Sequence, residues 1–186
     1  MQRRAVLKAA LGLAPWLTWR TTQARADDAP DPAEMRPQLG DHFVFLEGPL
    51  EGKPVHVEDL ELGGPQVQAY PADPKGLVRD GSRLNLVLLA RVGSEGLSDD
   101  TRARAADGVV AYSGVCTHQG CPVNMWEPDK KAFVCSCHGS TYDPREDATL
   151  LFGPAPRSLP ALPIKSDNGL LLVAGNFTGR LGPTTG

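Results

Sequence analysis

Residues 112–123 read YSGVCTHQGCPV, and residues 133–143 read FVCSCHGSTYD. The chain holds four cysteines and four histidines; all four cysteines and two of the histidines lie in these two stretches. Cys116-x-His118 is followed, after sixteen residues, by Cys135-x-x-His138, with Cys121 and Cys137 close by. Thiolates and imidazoles at such spacing are metal-binding chemistry. His42 and His56 lie outside both stretches and read as structural or surface residues.

Three arrangements compete for these donors. A pair of disulfides suits an exported chain, but it leaves both histidines unexplained. A Cys2His2 zinc site is permitted by the ligand types, and it leaves two cysteines over. The third is a [2Fe–2S] cluster with two cysteines on one iron and two histidines on the other.

The stretches CTHQGC and CSCHGS resemble the two boxes of Rieske iron–sulfur proteins of the cytochrome bc1/b6f type. The resemblance implies that Cys116, His118, Cys135 and His138 bind a [2Fe–2S] cluster and that Cys121 and Cys137 form a disulfide. It also implies that Ser140 and Tyr142 donate hydrogen bonds to cluster sulfurs, and that GPAP at 153–156 is a Pro-loop over the cluster. Neutral imidazoles replace two thiolates, so such a centre accepts an electron at roughly −150 to +300 mV, against about −400 mV for all-cysteine plant-type clusters. VVAYSGVCTHQGCP at 109–122 is similar to the small subunit of arsenite oxidase, and CHGSTYD with GPAP to the bc1 protein.

Outward from the boxes, the chain alternates short apolar runs with turn signals. FVFL, KPVHV, QVQAY, RLNLVLLARV and GVVAYS read as strands. ALPIK and LLLVAG flank Ser166-Asp167-Asn168-Gly169, where Asn-Gly predicts a hairpin turn. One short helix is expected, capped by Ser98, with Asp99 and Asp100 in its first turn and Gly108 closing it. The expected fold is all-β: a Rieske-type antiparallel β-sandwich over residues 41–176, with the cluster-binding subdomain inserted at about 114–157 and a tail at 177–186.

The N-terminus differs in character. Residues 1–26 have a basic start, an apolar run from Ala5 to Trp19 and a small-x-small end at Ala24-Arg25-Ala26. That is the layout of a secretory signal, and the pair Arg3-Arg4 resembles a twin-arginine signal. The run is short for a membrane span of about 20 residues; left uncleaved, it would tether the chain to a membrane. Residues 27–40 are acidic and Pro-rich and read as a linker or an arm lying on another surface. Without the five basic residues of the signal, 14 bases face 22 acids, a net of −8. Such a surface argues against nucleic acid as a partner.

The expected function is a periplasmic Rieske [2Fe–2S] electron-transfer subunit of a respiratory oxidoreductase. Its partners would be a larger redox subunit, of molybdopterin or cytochrome b type, and a c-type cytochrome or similar acceptor. No nucleophile–base pair marks an independent catalytic site. A free-standing carrier and a non-redox zinc module are the alternatives.

Overall fold

The computed structural model describes residues 30–184. The expected signal at 1–26 lies outside the described residues. Among the described residues no helix is long and apolar enough to cross a membrane.

The all-β class is what the structure has. Strands β1 (His42–Phe45), β2 (Val67–Ala72), β3 (Val87–Arg91), β4 (Val109–Ser113), β9 (Ile164–Asp167) and β10 (Leu170–Val173) form an antiparallel sheet in the order β4-β3-β2-β1-β10-β9. Between β4 and β9, strands β5 (Val123–Glu127), β6 (Ala132–Cys135), β7 (Thr141–Asp143) and β8 (Thr149–Phe152) form a second antiparallel sheet. The first sheet curls towards a barrel. Its edge strand β4 bonds the segment leading to β9, through Ser113 N–H to Pro160 O and Leu162 N–H to Ala111 O, both 2.9 Å.

β3 and β4 are buried almost throughout because they have apolar neighbours on both faces. Val87, Leu89, Val109 and Ala111 point into the barrel with Phe43, Val55, Leu162 and Leu171. Leu88, Ala90, Val110 and Tyr112 point the other way, against Val123, Phe133 and Tyr142 of the second sheet. Alternation with a period of two still holds, but each face has a core, so the sequence shows a continuous apolar run. Tyr112 and Phe133 meet edge to face at 6.0 Å, and the Tyr112 hydroxyl donates to Pro144 O.

The hairpin at Asn168-Gly169 forms as expected, with φ of 50° and 84° at the two positions and β9 paired to β10 around it. Two local expectations are corrected. KPVHV does not form a strand: Pro54 and His56 make isolated bridges to Val44 and Leu170, since proline donates no ladder bond. Helix α1 spans Asp99–Arg102 and is capped by Ser98, whose side chain accepts from Thr101 N–H. It stops well short of Gly108, which instead serves the turn into β4 with φ of 76°. Its closeness to the Gly93 backbone, 2.9 Å from a notional Cβ, leaves no room for a side chain.

Residues 32–36 lie along the segment 79–85. Gly81 N–H donates to Ala33 O, the Asn85 amide to Met35 O, and Arg79 to Pro32 O. Arg79 also forms a two-pronged pair with Asp41, at 2.6 and 3.1 Å, with both side chains buried.

Candidate metal centre

The two boxes fold into the same turn. In the first, Gly120 N–H donates to Cys116 O and Cys116 N–H to Cys121 O; in the second, Gly139 N–H donates to Cys135 O and Cys135 N–H to Ser140 O. Both turns close on a left-handed glycine, φ 75° at Gly120 and 70° at Gly139, a conformation that L side chains rarely adopt. Each box thus presents its first cysteine and its histidine on one rigid loop.

The loops face each other. Cys116 and Cys135 are free and buried. Burial, together with the neighbouring Cys116 thiol, pushes the Cys135 thiol up. A buried thiol beside a second one, as Cys135 is, disfavours its thiolate unless a cation compensates. The rings of His118 and His138 lie 4.8 Å apart, nearly perpendicular. Among the described residues His118 Nδ1 is buried with no hydrogen-bond partner, while His138 is exposed. An orphaned buried nitrogen is costly unless it serves as a ligand. The donor set divides into a thiol pair inside and an imidazole pair towards the surface, and it fits a two-iron cluster ligated asymmetrically.

Cys121 and Cys137 are joined by a disulfide. Cys135 Sγ lies within 4.8 Å of both disulfide sulfurs, but sulfurs bonded to each other offer no thiolate. The bond ties the two loops together covalently.

Ser140 and Tyr142 are fully buried behind the thiols. The Tyr142 hydroxyl lies 3.2 Å from Cys116 Sγ. Burial, then the Cys116 thiol, holds its phenol above the usual range, so it stays protonated and able to donate to sulfur. Ser140 Oγ accepts from Ala155 N–H at 3.2 Å, which leaves its own proton for another acceptor. Gly153 sits so close that a Cβ there would stand 2.5 Å from Ser140 Cα. The GPAP segment is thereby packed onto the second box. Sequence reasoning missed Thr117 and Arg157: the Thr117 hydroxyl donates to Arg157 O at 2.7 Å, tying the first box to the chain just after GPAP. A hydroxyl between two ligands was the only hint of this.

Comparison with known proteins bears on this centre. The family model for the Rieske [2Fe-2S] domain matches residues 68–163, just over half the chain. A cytochrome bc1 complex Rieske iron-sulfur subunit of Streptomyces lividans is 44% identical over 78 residues, 41% of this chain and 46% of that protein. A putative respiratory nitrate reductase subunit Rieske of Haloferax mediterranei is 34% identical over 137 residues, 72% of this chain and 59% of that protein. The chain therefore spans less than two thirds of the length of these curated relatives. Among solved structures, the cyanobacterial plasma membrane Rieske protein PetC3 from Synechocystis PCC 6803 is similar at 27% identity, covering 58% of this chain and 86% of that one, with a TM-score of 0.39.

Proposed function

We propose a function from one premise, that this chain belongs to the Rieske [2Fe–2S] family: it is a one-electron carrier within a larger respiratory oxidoreductase. Cys116 and Cys135 would hold one iron, and His118 and His138 would hold the other. The observation that carries this is the pairing of two buried thiols with an orphaned His118 Nδ1 and an exposed His138. When bound, the cluster supplies a site that takes up and releases one electron.

The chain's own residues set how readily it does so. Cys116 and Cys135 exclude water from the inner side; His138 presents an edge to the partner. Ser140 and Tyr142 donate to sulfur, which favours the more negative, reduced state. Names of relatives support a bc1-type or nitrate-reductase-type setting. The partner is a larger redox subunit, of cytochrome b or molybdopterin type, and the acceptor is a c-type cytochrome or similar protein.

The deciding experiment is a redox titration of the purified protein followed by EPR. A single one-electron iron signal with a midpoint within roughly −150 to +300 mV is expected. Stoichiometric zinc and no iron signal would overturn the reading.

Ser140→Ala should lower that midpoint while the cluster stays bound. A hydrogen bond to a charged group contributes about 1.5–3 kcal/mol, and 59 mV is a factor of ten for one electron, so the fall is roughly 60–130 mV. Tyr142→Phe should give a smaller fall. Unchanged midpoints in both variants would remove the hydrogen-bonding role.

The setting is periplasmic, reached through the twin-arginine route; Arg3-Arg4, the apolar run and the small-x-small end support this. A chain with Lys at both positions 3 and 4 should accumulate in the cytoplasm. Normal export of it, followed by cell fractionation, would refute the route.

A further inference from the structure

Beside the first box the fold leaves an open cleft of about 660 Å³, within the usual range of small-molecule sites, about 300–1,000 Å³. Three separate segments build it: Arg36 comes from the N-terminal arm, Arg83 and Leu84 from the turn before β3, and Phe177, Arg180 and Leu181 from the C-terminal tail. Among the described residues that line it none is acidic, although acids outnumber bases in the chain, 22 to 19. Arg36 donates to Asn85 Oδ1 at 3.0 Å and Arg83 to Gly120 O at 3.1 Å. Both acceptors are neutral. They fix each guanidinium and leave its charge uncancelled, and each fork keeps further donors. Among the described residues, neither Arg36 nor Arg83 joins an ion pair. Cations converging on one cleft repel one another, and an anion between them removes that cost.

The rest of the wall is apolar. Leu84, Phe177 and Leu181 would gain nothing from a bare inorganic ion. We propose that this cleft binds a small organic anion, a carboxylate or phosphate ester with an apolar body. The head lies on Arg36 and Arg83, and the body lies against Phe177 and Leu84. This site is separate from the cluster ligands, and the proposal stands whichever metal they hold.

The test is calorimetric titration of the mature holoprotein with hexyl phosphate, inorganic phosphate and phosphatidylglycerol vesicles. Hexyl phosphate should saturate at one per chain and bind more tightly than inorganic phosphate. Losing one charge-assisted contact weakens binding about tenfold or more, so Arg36→Gln and Arg83→Gln should each show that loss. Lys165→Gln, on the exposed side of β9, should bind as the unaltered chain does. Arg83 also holds the first box, so its variant is checked for an intact visible spectrum; Arg36 makes no such bond and keeps the test decisive. Vesicle binding that hexyl phosphate displaces would identify a lipid headgroup as the source of the anion, and indifference to vesicles a soluble one. No saturable hexyl phosphate binding, or full binding in Arg36→Gln, would overturn the proposal.

Discussion

A Cys135→Ser chain is expected to hold no cluster at all, while Cys121→Ser assembles one and then loses it quickly. The two thiols differ in what surrounds them. Cys135 is buried against Cys116, and metal binding there must first remove a proton that burial holds on. A serine hydroxyl is a far weaker acid than a thiol, and the same burial makes its deprotonation harder still. Cys121 is bonded to Cys137 across a sequence separation of 16, and closing a loop of that size restricts the unfolded chain by about 3 kcal/mol. Its loss loosens the facing loops and removes no ligand. Iron and sulfide per chain, with the visible spectrum followed over time, separate the two. Full iron in Cys135→Ser would remove the ligand assignment; an equally durable cluster in Cys121→Ser would remove the staple.

Asp41→Ala is expected to be the most damaging change to the protein fabric outside the boxes. Asp41 accepts two bonds from Arg79 and a third from Gln38 N–H at 2.7 Å. Removing one partner of a buried pair leaves the other charge uncompensated, at about 3–5 kcal/mol. A domain of this kind is stable by about 5–15 kcal/mol in all, so the variant gives up a large share of its stability. Arg79 also carries Pro32 O, so the N-terminal arm should come loose as well. Denaturant unfolding of the mature chain measures the loss. Replacing both partners together, Asp41→Leu with Arg79→Met, should recover most of it, because no lone charge is left. A single variant as stable as the original would show that the pair contributes nothing.

What the sequence showed depended on how local the physics is. The boxes were legible because ligand chemistry sits within six residues of each glycine-closed turn. Asn168-Gly169 was legible because its φ values are set by two adjacent residues. The second sheet was not recognised. β5 has one buried residue followed by exposed and half-buried ones, and its register shifts between Val123 and Met125, so no alternation survives. β8 exposes Leu151 and Phe152, at 51% and 69%, and reads as a loop by burial logic. The Asp41–Arg79 pair joins residues 38 apart, and no local pattern announces it. Gly108 misled because a glycine after a helical run looks like a helix terminator, whereas its own backbone contact with Gly93 is what requires it.

β3 and β4 belong to two cores at once. The lobe that carries the boxes is therefore not a detachable module. Deleting it would leave Leu88, Ala90, Val110 and Tyr112 facing water along one wall of the barrel, and the barrel could not persist as it stands. The two parts should melt in a single transition, and the amides of β3 and β4 should be the last in the chain to exchange with deuterated solvent. A shared wall also means that the boxes gain their rigidity from strands that carry none of the candidate ligands.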